Sequence, residues 1–94
     1  MDFEDAPTLQ RIRADLAALD DPDSPQARAL RTVAGWAGHG AYMEGYPFTE
    51  VRVRQLVELA VQRFSDEADR YAGAGDAEAA DARRRSVAAL TPYL

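Results

Sequence analysis

The sequence contains no cysteine, no lysine and no asparagine, and it has a single histidine among its 94 residues. Without cysteine, neither a disulfide bond nor a cysteine-ligated zinc site can stabilise the fold. The one histidine, His39, has no second histidine or cysteine to complete a metal site. No serine stands in a context typical of a nucleophile, since Ser24, Ser65 and Ser86 fit helix-cap or exposed helix positions. We therefore expect neither an enzyme nor a bound cofactor.

Large apolar side chains are also scarce, although a hydrophobic content of 47% conceals this. Alanine supplies 19 of the 44 apolar residues, and Leu, Val, Ile and Phe together number 18. Because alanine is the strongest helix former, we expect a thin helical core rather than a disordered chain. The length predicts one domain, residues 1–94. A domain of this size buries only about 60–65% of its unfolded surface, and self-association is one way to stabilise it further.

Basic residues are in the minority, with 11 arginines against 16 acidic residues and a net charge of −5. Nucleic-acid binding normally requires a basic excess, so we expect no nucleic-acid partner. No apolar run reaches the roughly 18–20 residues that span a bilayer, and the acidic N-terminus does not resemble a signal peptide. Arginine in place of lysine is typical of a GC-rich bacterial genome. The predicted location is therefore a bacterial cytoplasm, without membrane contact.

Apolar spacing and capping residues predict four helices. Each start has a side-chain oxygen before the first apolar position: Thr8, Ser24-Pro25, Thr49 and Asp76. Turn formers, glycine or proline mark the ends: near Asp20, within Gly35–Gly40, at Gly73-Ala74-Gly75 and at Thr91-Pro92. The predicted fold class is all-α, a small bundle of about four helices with a long third helix and an antiparallel C-terminal hairpin. Arg11 and Asp15 lie off the apolar stripe of the first helix and are expected to face water.

The C-terminal hairpin carries aromatic and small residues at helical spacing. These positions are Phe64, Ala68, Tyr71, Gly75-Asp76, Ala80 and Pro92. Over residues 61–94 the pattern resembles a single tetratricopeptide-repeat unit, from which Glu67 and Val87 depart. No second copy lies upstream, although stacked repeats share a core among about three units. The resemblance implies a protein–protein interaction role, and the alternative is a generic alanine-rich hairpin.

Three consecutive arginines, Arg83 to Arg85, form a basic cluster in the predicted fourth helix. Three successive residues cover about 300° of a helix, so at most two of them can share a face. Neighbouring acidic residues such as Asp81 reduce the local positive field. We therefore expect these arginines to form a solvated helix surface rather than a binding site.

The segment from Gly38 to Phe48 is predicted to be a loop, and bulky side chains concentrate in and beside it. They are Trp36, Tyr42, Met43, Tyr46 and Phe48. Such side chains either fill the thin core or form an interface, because Trp and Tyr dominate binding hot spots. We assign Trp36 and Phe48 more to the core, and Tyr42 and Tyr46 more to a partner.

Together these features favour a small acidic helical protein-binding module: an adaptor, a regulatory subunit or an immunity- or antitoxin-type inhibitor. The predicted partner-binding residues are Trp36, His39, Tyr42, Met43 and Tyr46. A basic partner protein suits the negative charge, because opposite charges accelerate encounter. One alternative is a self-associating structural bundle, such as a homodimer. The less favoured alternative is a small-ligand binder or enzyme that uses His39 and Tyr42 in a pocket between helices.

Overall fold

The computed structural model describes residues 6–43 and 49–94, with residues 40–43 described by their backbone alone. The described residues contain no β-strand and form four α-helices followed by a short 3-10 helix: α1 (Pro7–Ala18), α2 (Pro25–Met43), α3 (Glu50–Gly73), α4 (Ala77–Leu90) and η1 (Thr91–Tyr93). The predicted all-α class, the long third helix and the C-terminal hairpin are confirmed. Within these residues no helix is both long and apolar enough to cross a membrane.

A tight turn joins α3 to α4 and folds them into the C-terminal hairpin. Gly75 has a φ of 82°, which is the left-handed conformation that favours glycine after a helix. Its amide donates to the Ala72 carbonyl at 3.1 Å, and the Asp76 amide donates to the Tyr71 carbonyl at 2.9 Å. Asp76 also caps α4, because its Oδ1 accepts from the Ala79 amide at 3.0 Å. The predicted end of α3 and start of α4 are both confirmed.

Helix α2 is longer than the sequence predicts. It starts as expected, with Ser24 Oγ accepting from the Ala27 amide at 3.1 Å. It then continues through Gly35 and Gly38 as far as Met43, so the predicted loop is wrong for residues 38–43, and residues 44–48 lie outside the described part. The cost of a glycine in a helix is only about 1 kcal/mol. Burial of Val33 and other apolar residues of α2 outweighs that cost.

The N-terminus of α1 is capped from a distant part of the chain. The helix starts at Pro7, so Thr8 is its second residue and not its cap, and the capping position falls on Ala6, whose side chain has no oxygen. Glu50, the first residue of α3, takes that role: its Oε1 accepts from the Thr8 amide at 3.0 Å, and its Oε2 accepts from the Thr8 hydroxyl. The predicted Thr8 cap is therefore wrong, because a tertiary contact replaces it.

The core lies where α1, α2 and α3 meet the end of α4. Its largest fully buried apolar side chains are Leu9, Ile12, Val33, Val53, Val57 and Leu90. Tyr93 closes this core from the C-terminal end and donates its hydroxyl hydrogen to Asp15. The guanidinium of Arg11 lies 5.0 Å from the centroid of the Tyr93 ring. Arg11 and Asp15 are exposed as predicted, yet they also fasten the C-terminus to α1.

Candidate functional site

A groove of about 320 Å³ lies between α2, α3 and α4, and we call it the arginine groove. Its described lining residues are Arg28, Thr32 and Trp36 from α2, Arg63, Phe64 and Glu67 from α3, and Arg83 from α4. The three α2 residues are spaced four apart, which places them on one face of the helix. The groove thus combines two aromatic side chains with several charged ones.

Glu67 holds two of the arginines in the groove. Its Oε1 accepts from Arg83 Nε at 2.8 Å, and its Oε2 lies 3.4 Å from Arg63 Nε. The side chains of Glu67 and Arg83 are only 21% and 19% exposed, whereas the Arg63 side chain is 61% exposed. Since the Glu67–Arg83 pair is partly desolvated, it is stronger than a fully exposed ion pair. One carboxylate therefore fixes a cation from α3 and a cation from α4.

Aromatic rings also lie close to the same two guanidinium groups. Arg63 Cζ lies 5.8 Å from the centroid of the Trp36 ring, and Arg83 Cζ lies 5.4 Å from that of Tyr71. Both distances allow cation–π attraction, which favours a guanidinium over the face of a ring. Contacts within the chain thus orient the two guanidinium groups.

Arg28 differs from the other two arginines because it has no counterion among the described residues. Arg28 is an exposed residue, and among the residues that the structure describes no side chain or carbonyl pairs with its guanidinium. Three arginines and one glutamate give the groove a formal charge of +2. The chain as a whole carries −5. The groove is therefore a local positive region on an acidic protein.

Two further cavities continue the surface beyond the groove. One of about 390 Å³ is lined by Glu67, Arg70, Tyr71 and Ala74. The other, of about 120 Å³, shares Arg28 and Arg83 with the groove and is also lined by Asp23 and Ser86. Arg70 adds a further exposed cation at the α3 end of this surface.

The structure describes the side chains of only some of the residues that the sequence predicts to bind a partner. Trp36 is half-buried on α2, where it packs against the core and lines the arginine groove. His39 is exposed on the same helix, about one turn further on. Tyr42 and Met43 belong to α2 by their backbone, and their side chains lie outside the described part, as does the whole of Tyr46. A shared site for these five residues stays a prediction.

The arginines of the groove were missed by sequence reasoning. Arg83 was expected in a solvated surface, but it is half-buried because α4 packs against α3 beside Glu67. The sequence did mark Glu67 as unusual, since it is a charged residue at a position where the repeat pattern has a large apolar one. Its spacing of four from Arg63 also predicts an ion pair on one helix. The pairing with Arg83 joins two helices and has no such local signal.

Ser86 also differs from its predicted role as a cap or an exposed residue. It is 1% exposed, and its hydroxyl donates to the Pro25 carbonyl at 3.1 Å and lies 3.3 Å from the Ala82 carbonyl. The contact ties α4 to the first residue of α2, so that expectation is wrong.

Throughout the described part, every buried side-chain nitrogen and oxygen has a hydrogen-bond partner. Nor do three His, Asp or Glu side chains come close enough there to hold a metal ion.

Comparisons with protein-family models, with curated proteins and with solved structures find no match to this chain. The resemblance of residues 61–94 to a tetratricopeptide unit therefore stays a prediction.

Proposed function

We propose that this chain is a small helical protein-binding module whose binding surface is the arginine groove. The observation that carries the proposal is an open groove with a tryptophan wall and an arginine, Arg28, that has no partner in the described structure. Tryptophan and arginine are the residue types most enriched where binding energy concentrates at interfaces. An adaptor, a regulatory subunit and an inhibitor all require such a surface.

The way the groove is held favours binding over catalysis. Arg83 is held by Glu67 and lies beside the Tyr71 ring, so little of its side-chain entropy remains to be lost on binding. Arg63 is more exposed and contacts the same carboxylate and the Trp36 ring. Arg83 and Glu67 are partly desolvated, which strengthens polar contacts formed beside them. The groove is therefore preorganised for a partner that supplies both polar and apolar groups.

We also propose that the interface extends from Trp36 along α2 towards His39. His39 is exposed and lies three positions after Trp36, so the two residues are neighbours on the helix surface. Substituting His39 by alanine is expected to weaken partner binding by about two- to fivefold, a rim effect smaller than that of a buried hot spot.

Selection of binding peptides tests the proposed function. The intact chain is immobilised and used to select from a random library of peptides about twelve residues long, a length suited to a groove between helices. Affinities of the enriched peptides are then measured by calorimetry for the wild type and for an Arg28→Ala/Arg63→Ala double variant. Loss of two charge-assisted contacts is expected to weaken binding by about tenfold or more.

Arg84→Ala is the matched control, because Arg84 is an exposed arginine of α4 that does not line the groove. It is expected to bind like the wild type, and circular dichroism with thermal unfolding verifies that each variant is folded. If no peptide is enriched, or if the double variant binds as tightly as the wild type, the groove is not a protein-binding surface.

A further inference from the structure

We infer that the arginine groove recognises an acidic segment of a partner protein, with a carboxylate on its arginines and an adjoining apolar side chain against Trp36. This inference rests on the proposed function and adds the chemistry of the partner. The proposed ligand is a peptide segment that carries a carboxylate. Four observations carry the inference.

The first is that these arginines already bind a carboxylate. Glu67 accepts from Arg83 at 2.8 Å and lies 3.4 Å from Arg63, so both guanidinium groups are placed to interact with a carboxyl oxygen. Arginine suits this role because its planar fork of donors matches the two oxygens of a carboxylate. The groove's geometry thus fits the chemistry that we assign to its ligand.

The second observation is that positive charge remains after this internal pairing. Arg28 has no counterion among the described residues, and the groove keeps a formal charge of +2 with Glu67 in place. Arg28 and Arg83 also line the smaller adjoining cavity together with Asp23, so two cations face one carboxylate there and a positive charge is left over. An incoming carboxylate would neutralise charge there without displacing Glu67.

The third observation is the apolar part of the groove. Trp36 is half-buried and Phe64 is 5% exposed at its base. An aromatic wall beside a cation fits a peptide in which an acidic residue neighbours an apolar one. A free phosphate or other small anion would leave this wall in contact with water.

The fourth observation argues against a nucleic acid in the same groove. Polyanion binding grows with the number of phosphates that basic residues neutralise, and this chain carries a net charge of −5. A single carboxylate on a peptide suffers much less long-range repulsion, because charge effects decay over about 8 Å at physiological ionic strength. Local contacts therefore decide which segment the groove holds. The net charge of −5 governs encounter from further away and still favours a partner that is basic outside this acidic segment.

A double-mutant cycle between peptide and protein tests this inference. An enriched peptide is compared with a copy in which every Asp and Glu is replaced by Asn and Gln, on the wild type and on the Arg28→Ala/Arg63→Ala variant. We expect the wild type to prefer the acidic peptide by about tenfold, and the variant to reduce this preference to about twofold. Raising the salt concentration should weaken only the acidic peptide appreciably.

The outcomes separate this inference from the proposed function. If peptides bind through the groove but the amide copy binds equally well, the acidic partner is wrong and the binding module stands. If no peptide depends on the groove, both fail. Tighter binding of a single-stranded oligothymidylate than of the acidic peptide would replace the peptide by a nucleic acid. Self-association that the double variant abolishes, measured by light scattering, would replace it by a second copy of this chain.

Discussion

Glu50 shows how one side chain can link two helices that are distant in the sequence. It is the first residue of α3, and its carboxylate accepts both hydrogen bonds that Thr8 donates at the start of α1. A negative charge at a helix N-terminus is favoured by the helix dipole. The Thr8 hydroxyl is the largest cause that holds the pKa of Glu50 below its ordinary value, with smaller effects in the same direction from the Thr8 amide and Arg54, while burial opposes them. The ionised form is therefore the one that the fold stabilises.

Replacing Glu50 by glutamine is expected to lower the free energy of unfolding at pH 7 by about 1 kcal/mol, because an amide lacks the charge that strengthens both bonds. Since the pKa of Glu50 is lowered in the fold, its contribution is present above its ordinary value of 4.5 and is lost as the pH falls through the folded pKa. The stabilities of the two proteins should therefore converge in acid. Urea unfolding from pH 7 to pH 3 measures this, with Glu58→Gln, an exposed position of α3, as the control.

Tyr93 makes the stability of the protein depend on pH at the alkaline end of the range. Burial, aided by the hydrogen bond to Asp15, raises the pKa of Tyr93 to about 12. A raised pKa means that the fold favours the protonated phenol, so this contribution is complete below about pH 10 and is lost as the pH rises towards 12. Absorbance titration of phenolate should show a tyrosine ionising near pH 12. The Tyr93→Phe variant should lack that step and lose about 1 kcal/mol of stability at neutral pH; an unchanged titration curve would refute the assignment.

At the scale of the helices, glycine has opposite roles at two positions. Gly35 lies inside α2, and no heavy atom beyond its own helix backbone and chain neighbours comes within 4 Å of the position that a Cβ would occupy. Gly75 also has open space around it, but its φ of 82° is strained for any residue with a side chain. The first glycine weakens its helix, and the second makes the turn of the α3–α4 hairpin.

Alanine substitution should therefore change stability in opposite directions at these two glycines. We expect Gly35→Ala to stabilise the protein by about 0.5–1 kcal/mol, since alanine restricts the unfolded chain and favours helix. We expect Gly75→Ala to destabilise it by about 1–2 kcal/mol, since an L-residue resists the left-handed conformation. Thermal unfolding of both variants beside the wild type measures the pair. A loss of stability in Gly35→Ala would show that α2 is not a continuous helix there.

For the whole molecule, stability depends on few side chains because alanine fills much of the interior. The fully buried set of larger residues is short and comes from α1, α2, α3 and α4 together. Leu59 and Val51, by contrast, are 57% and 68% exposed although they belong to the longest helix. Apolar character alone therefore does not show which residues of α3 hold the bundle together.

Val57 and Val51 provide a matched test of this point, since both lie on α3 and only Val57 is fully buried. Val57→Ala is expected to cost about 2 kcal/mol, through lost burial and the cavity left behind. Val51→Ala carries the same change in helix propensity without the cavity, so it should be neutral or stabilising by about 0.5 kcal/mol. Chemical denaturation compares the two, and equal losses would mean that the core is not where the structure has it.

The features that could be predicted from the sequence are those that depend on interactions between neighbouring residues. The caps at Ser24, Thr49 and Asp76, and the turn at Gly75, join residues at most a few positions apart, so their chemistry is visible in the sequence. The period of apolar residues fixes the helices in the same way. The all-α class and most helix boundaries follow from these short-range rules.

The contacts that could not be predicted join residues that are far apart in the sequence. Glu50 caps α1 across 42 positions, Ser86 bonds to α2 across 61, and Glu67 meets Arg83 on another helix. Such pairs depend on how the helices pack, and no local sequence pattern encodes that packing. Packing also explains why α2 continues past glycines at which local propensity predicts the end of the helix. The arginine groove arises in this way, because its charges come from three helices that separately resemble ordinary solvated surfaces.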